Sequence, residues 1–431
     1  MDKEQLQKLM LDKYTEMTLK KLEGTKLEFN DYFIYIVSSN KEKGFNFPYI
    51  LVLPKQANEI STIVVDNKTP RASTLSYKET IEKELIDNMR VSKMAGVILK
   101  EFNEPILIPI IPRFKGFYTT ALGSNVRNNN MMNLKEEIKN GNVLMDPKDL
   151  EKLIDIPKQY NNVIMDAKNF LRNHLHLNVN DKVIQTGYSA ASKLASNYTE
   201  LYPENVECLI AGGTTGLGIR PLKEYNYPLG IRDISNYDAD ASKSVKRFFF
   251  IGSNDENDPA LCNCIFDEKR DVNGNLKPKF TEDGNIIPIL KDNKYIAVNK
   301  DCYTDEEVDI IHRKFGSRIN DRFKNYVDSL NHFGYNITAK VYDGDHMSVQ
   351  ENKDVYSDIT SFLKKNKYNK SNEIIDLKKK KKQLLQEQKN RKIQEDGLKL
   401  TYGSKGFMNI ILISIIIITI SILILFLLKI L

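Results

Sequence analysis

Val183-Ile184-Gln185-Thr186-Gly187-Tyr188-Ser189-Ala190-Ala191-Ser192 runs from a short apolar strand through Gly-x-Ser-x-Ala into a helical pattern carried on by Leu194, Ala195, Tyr198 and Leu201. A serine that attacks an acyl carbon must project its hydroxyl from a tight strand-to-helix turn, and small residues two before and two after it leave room for that strained backbone. Gly187 and Ala191 fill those two places. The helix that follows turns its positive end toward the point where an oxyanion would develop. The stretch reads as a nucleophile elbow with Ser189 at its apex.

Two later strands end in residues that complete such a site. The run Lys246-Arg247-Phe248-Phe249-Phe250-Ile251 leads into Gly252-Ser253-Asn254-Asp255-Glu256-Asn257-Asp258, and Ile337-Thr338-Ala339-Lys340-Val341-Tyr342 leads into Asp343-Gly344-Asp345-His346. Serine, aspartate and histidine thus follow one another in that order, each just past the C-terminal end of an expected strand. Of the five histidines, only His346 follows a terminal strand. His174 and His176 end a helical stretch and His312 and His332 lie within one, where structural roles are expected.

From about Asp31 to Asn366 the chain resembles an α/β hydrolase of the esterase type, close to bacterial families described as phospholipase/carboxylesterase or polyhydroxybutyrate-depolymerase-like hydrolases. The pieces that carry the likeness are Gly187-Tyr188-Ser189-Ala190-Ala191-Ser192, Tyr227-Pro228-Leu229-Gly230, Gly252 to Asp258 and Gly344-Asp345-His346. The chain departs from that pattern in Ala191, where glycine is commoner, and in lacking a His-Gly-Gly motif. The resemblance implies Ser189 as nucleophile, His346 as base and Asp255, three residues after Gly252, as the carboxylate that holds the imidazole. Asp258 is the alternative acid; it precedes Pro259 and equally suits a cap for the next segment. The oxyanion N–H groups are expected from Ala190, next after the nucleophile, and from the loop after the third strand, Asp66 to Ala72. Pro70 has no N–H, so Asn67 and Lys68 are the loop's candidates, with Asn67 equally suited to a simple turn. No metal and no organic cofactor is expected.

The remaining pattern supports that fold class. Tyr32–Val37 and Tyr49–Leu53 read as an opening antiparallel pair. Thr62–Val65, a helix over Tyr77–Met94, the apolar strand Pro105–Ile111 and a helix over Pro157–Leu175 follow. Together with the nucleophile strand, Glu207–Gly212, the acid strand and the histidine strand, this gives an eight-stranded, mostly parallel sheet flanked by helices. A closing helix is expected from Ser348 to Leu363. Two polar insertions, Arg113 to Ile156 and Phe266 to Thr304, are longer than ordinary strand–helix loops and are expected to line the acyl pocket or form a lid, with a hairpin turn at Val272–Leu276 in the second. Residues 1–30 read as a charged, amphipathic helical segment without the apolar core of a secretory signal.

The C-terminal end carries a second signal. Phe407 to Leu428 is 22 residues without a charge, long enough to cross a bilayer core of about 30 Å at 1.5 Å per residue. The reading is therefore a catalytic domain over 31–366, a basic linker over 367–405 and a transmembrane tail anchor over 406–431. Between Lys378 and Lys405 ten Lys or Arg stand against three Asp or Glu, while only Lys429 lies beyond the span. Basic flanks stay on the cytoplasmic side, so the catalytic domain is expected to face the cytoplasm from the membrane. The formal net charge of +6 resides in the linker, which argues against nucleic acid as a partner of the catalytic domain. The four cysteines, Cys208, Cys262, Cys264 and Cys302, lack the paired spacing of a zinc site and read as reduced thiols.

These readings converge on a membrane-anchored serine esterase acting on a small-molecule or lipid ester. A serine peptidase, amidase or thioesterase of the same fold, and an inactive hydrolase fold serving as a tethered binding protein, are the alternatives. Neither the acyl and alcohol specificity nor the oligomeric state is written in the sequence.

Overall fold

The structure, a computed structural model, describes residues 25–29, 32–56, 58–68, 71–88, 91–117, 124–213, 238–255, 261–270, 276–282, 285–298 and 303–368. The chain divides at Leu363 into two units, and the first holds the sheet and, among the described residues, Asn67, Lys68, Ser189, Ala190, Asp255 and His346. The linker from Asn369 onward and Phe407–Leu428 lie outside the described residues, as do Tyr227–Gly230, Asp258 and Cys302. Among the described residues no helix is long and apolar enough to cross a membrane.

Nine strands form the main sheet: β1 Thr25–Phe29, β2 Tyr32–Val37, β3 Tyr49–Pro54, β4 Val64–Asp66, β5 Ile106–Pro109, β6 Val183–Tyr188, β7 Val206–Gly212, β8 Lys246–Gly252 and, last in the chain, β11 Asn336–Tyr342, while β9 Phe266–Arg270 and β10 Leu276–Pro278 pair antiparallel in a separate two-stranded sheet. The order in the main sheet is β1-β2-β3-β5-β4-β6-β7-β8-β11. The first four are paired antiparallel and all pairs from β5 through β4 to β11 are parallel. Helices α1 Tyr77–Asp87, α2 Lys93–Phe102, α3 Ser124–Lys139, α4 Ile156–Asn169, α5 Ala190–Leu201, α6 Ala239–Ser244, α7 Asp305–Phe315, α8 Ile319–His332 and α9 Lys353–Leu363 accompany it. This mostly parallel sheet with its helices fits the α/β-hydrolase fold. The all-apolar runs in β3 and β8 follow from burial on both faces: every residue of β3 is buried, and so are Phe248, Phe249 and Phe250 of β8.

Two expectations about elements are corrected. Residues 25–29, expected within a helical N-terminal segment, form β1, in register with β2 from Thr25 opposite Ile36 to Phe29 opposite Tyr32. Thr-Lys-Leu-Glu-Phe alternates polar and apolar residues, a strand period too short to stand out beside the amphipathic run before it; the sheet therefore has nine strands rather than eight. The single helix expected over Tyr77–Met94 is two helices. Asn88 closes α1 by donating its side-chain amide to Glu84 O at 2.8 Å, and Ser92 opens α2 by accepting the Ala95 N–H on its hydroxyl.

The helix after β6 is anchored hard. Ala191, Leu194, Ala195 and Tyr198 of α5 are buried, and full burial of a large apolar side chain contributes about 1.5–3 kcal/mol. At its far end Glu200 pairs with Arg247 of β8 at 2.7 Å, both buried. The element that carries the serine is thereby tied to the strand that carries the acid.

Candidate active site

β6 ends in a turn that ordinary residues avoid. Ser189 has φ 57° and ψ −129°, a left-handed backbone that costs a non-glycine residue roughly 1–3 kcal/mol and persists only where its surroundings hold it. Those surroundings are specific. The Ser189 N–H donates to Gly212 O at 2.9 Å, and the Ser189 carbonyl accepts from the Ser192 N–H at 3.0 Å and from the Ser192 hydroxyl at 2.5 Å. Gly187 permits the close approach of strand and helix, since a Cβ there would fall 2.4 Å from Ala191 O. Ser192, a turn beyond Ser189, is thus a brace within the elbow. Ala190 is the first residue of α5, and its N–H has no partner within the helix.

The acid and the histidine arrive on adjacent parallel strands, β8 and β11, paired from Lys246 opposite Asn336 to Gly252 opposite Tyr342. Beyond the last pair the two loops stay joined. The Ser253 N–H donates to Tyr342 O at 2.7 Å and the Asn254 N–H to Gly344 O at 2.9 Å. A Cβ on Gly252 would lie 2.4 Å from Gly344 O, so only glycine lets the loops lie this close. Asp345 then turns the chain by accepting the Met347 and Ser348 N–H groups on Oδ1 at 2.9 and 2.7 Å. These hydrogen bonds, those from Ser348 foremost, hold the Asp345 carboxyl below the usual range.

The result is a buried acid against a nearly buried imidazole. The His346 Nδ1 lies 2.8 Å from Asp255 Oδ2, with the Asp255 side chain fully buried and that of His346 16% exposed. This is the geometry in which a carboxylate fixes the imidazole tautomer and leaves Nε2 to act as base. The contact of such a base with its serine often closes only when substrate binds. The link between the two loops runs through Tyr188, whose ring lies 5.2 Å from the imidazole.

The oxyanion loop differs from expectation at Asn67. Its backbone N–H donates to Thr186 O at 3.2 Å. Its side-chain amide donates to Gln185 Oε1 and Thr186 O, both at 2.9 Å, and accepts from the Tyr160 hydroxyl at 2.8 Å. Asn67 is a strut between β4, β6 and α4, and its N–H is already spent, which removes it as an oxyanion donor. Lys68 is left as the loop's candidate. Its ammonium pairs with buried Asp66 at 2.9 Å, and the same Asp66 oxygen accepts the Ser92 N–H at 2.8 Å.

The other residues singled out in the sequence separate from this cluster. His312 lies in α7, stacked on Tyr295 at 4.9 Å, and His332 is the last residue of α8. Cys208, Cys262 and Cys264 are buried, and no group of three or more metal-ligating side chains occurs among the described residues. The second insertion reaches toward α5, where the Tyr303 hydroxyl lies 2.9 Å from the Lys193 ammonium, four residues after Ser189. A cavity of about 680 Å³ lined by Val37, Lys43, Asp166 and His174 includes neither Ser189, Asp255 nor His346. Its Asp166 is engaged by Lys43 and by the Tyr49 hydroxyl, each at 2.8 Å.

No protein-family model and no curated protein matches the chain. Solved structures similar to it include an S-formylglutathione hydrolase from Agrobacterium tumefaciens, 9% identical over 79% of this chain and 98% of that one, with a TM-score of 0.37. A thermostable esterase is 11% identical over 77% of this chain and 63% of its own, TM-score 0.37. An S-formylglutathione hydrolase from Staphylococcus aureus is 8% identical over 78% and 99%, TM-score 0.33. Similarity of this degree says nothing about substrate, so the chemistry rests on the residues above.

Proposed function

We propose that this chain is a serine hydrolase that cleaves a carboxylic ester. The observation that carries the reading is the pairing of a strained serine at a strand-to-helix turn with a buried Asp255–His346 couple presented from neighbouring strands. In this reading His346 Nε2 takes the Ser189 proton as the hydroxyl attacks the ester carbonyl. The Ala190 N–H and a donor from the loop after β4, with Lys68 as candidate, stabilise the oxyanion at the positive end of α5. The imidazolium returns its proton to the leaving alcohol. Water then attacks the acyl-serine, again giving its proton to His346, and the acid and free Ser189 are released. Asp255 stays ionised throughout, orienting the ring and stabilising its charged form.

The tail gives the enzyme its address in this proposal. Phe407–Leu428 would span a bilayer and the basic residues from Lys378 would lie on its cytoplasmic side, drawn to anionic lipid at about 1 kcal/mol per residue. Such an anchor raises the effective concentration of a substrate that itself lives in the membrane, without any new contact.

A fluorophosphonate probe tests the chemistry directly. The protein should be labelled and should cleave a small ester faster than the matched thioester or amide. Ser189→Ala should remove labelling and turnover, the latter by roughly 10⁴- to 10⁶-fold, with folding intact. A wild-type protein that takes up no probe, or a Ser189→Ala variant that still turns over, would refute the proposal.

A further inference from the structure

Tyr188 occupies the x position of Gly-x-Ser-x-Ala, and its side chain meets the histidine loop. The phenol donates to the main-chain carbonyl of His346 at 2.6 Å. Its ring lies 5.2 Å from the imidazole, inclined by 45°, and 5.9 Å from the ring of Phe250 on β8. The space for it is supplied by Gly213, at φ +64°, where a Cβ would fall 2.4 Å from Tyr188 Cζ. Burial first, and then the charges of Asp255 and Asp345, push the phenol well above its usual value. It remains a hydrogen-bond donor at any working pH.

His346 needs more than its acid. The Nδ1 bond to Asp255 fixes the imidazole at one point and leaves the main chain that carries it dependent on the turn at Gly344, where φ is 132°. Asp255 ties the histidine to the loop after β8, the strand of the acid. Tyr188 is joined to Ser189 by a peptide bond, so a side chain that grips the His346 carbonyl couples the base to the nucleophile's own backbone.

We propose that Tyr188 is a positioning residue for His346, setting the separation between the imidazole and Ser189 through its bond to the His346 carbonyl and its contact with the ring. The assignment rests on the hydrolase reading above. A base held this way delivers its nitrogen in line with the serine hydroxyl, and a displacement of about 1 Å at such a position costs on the order of 10²-fold in rate. The hydroxyl of Tyr188 transfers no proton and touches no substrate.

Tyr188→Phe in the full-length protein removes the one oxygen and keeps the ring. The expected result is a kcat for a water-soluble ester lower by roughly 10- to 100-fold, a KM within about twofold, and a fluorophosphonate labelling rate lowered by the same factor as kcat. Tyr342→Phe is the control. It removes a bond of equal length, the 2.6 Å contact of the Tyr342 phenol with Asp358, at the end of the same strand that leads to His346. It should lower thermal stability comparably and leave kcat within about twofold. A Tyr188→Phe kcat within twofold of wild type, or a rise in KM with kcat held, would overturn the assignment. So would an equal loss of kcat in Tyr342→Phe, which would mark a general softening of the strand. A wild-type protein that the probe does not label would instead sink the hydrolase reading beneath it.

Discussion

Gly187→Ala puts the elbow under a measurable load. The added carbon would sit 2.4 Å from Ala191 O, 2.6 Å from Ala191 C and 2.7 Å from Ser192 N, all of them backbone atoms of the first turn of α5. Real Cβ contacts stay beyond 3.0 Å, so the turn must open by at least 0.6 Å. No side chain can swing aside to absorb that, because the clash is with the helix start. The displacement falls on Ser189 itself, the residue between. Overpacking of this kind costs about 1–3 kcal/mol. With an unfolding entropy of about 2.1 cal/mol/K per residue, a domain of roughly 340 residues loses about 1–4 °C in Tm. The effect on rate should be far larger, on the order of 10²-fold in kcat for a shift approaching 1 Å. Differential scanning fluorimetry and the labelling rate of a fluorophosphonate probe read the two quantities separately. Gly96→Ala in α2 is the contrast, since a Cβ there meets nothing within 4 Å and should raise stability by about 0.5–1 kcal/mol with activity unchanged. If Gly187→Ala proved as harmless as Gly96→Ala, the geometric account of the elbow would be wrong.

Asp255→Asn should lower kcat by about 10⁴-fold, because an amide holds the imidazole in the wrong tautomer, while Asp258→Asn should be mild; kinetics giving the reverse order would transfer the role to Asp258. Burial raises the Glu84 carboxyl to about 7, so the folded state holds a proton that the unfolded chain has lost, and stability falls as pH rises from about 4.5 to 7. Glu84→Gln should flatten that decline and gain at most about 3 kcal/mol at pH 8, readable in urea melts at pH 5 and pH 8; a decline of unchanged size would acquit Glu84. A chain ended after Asn366 should stay soluble and retain activity on a water-soluble ester, since the sheet and the candidate site lie before the cut; loss of that activity in a folded truncation would make the linker part of the enzyme.

The candidate site residues were legible because each follows a local signal. Ser189 sits in a pentapeptide with a steric logic of its own, Asp255 follows the buried apolar run of β8 by three residues, and His346 follows the alternating edge strand β11 by four. What escaped is what depends on partners distant in sequence. The commitment of Asn67 to Thr186, Gln185 and Tyr160 reflects the packing of β4 beside β6, which no local pattern announces. Tyr188 reaches a carbonyl 158 residues away, and nothing in the spacing of the elbow distinguishes it from an aromatic that merely ends a strand. β1 was hidden because five alternating residues carry little periodic signal beside a longer amphipathic run, and its pairing with β2 supplies the order that its composition does not.

The main-chain stitches between the loops after β8 and β11 separate two kinds of change that a lineage can undergo. Ser253, Asn254, Gly252 and Gly344 bind those loops by backbone atoms, so the spacing of Asp255 and His346 is indifferent to most substitutions of neighbouring side chains. The insertion that begins a few residues later and returns to α5 at Tyr303 hangs beyond the last stitch. It can lengthen, shrink or be rewritten without tugging on the acid. A frame wired in this manner leaves the insertion open to change while the distance between Asp255 and His346 stays set by the main chain.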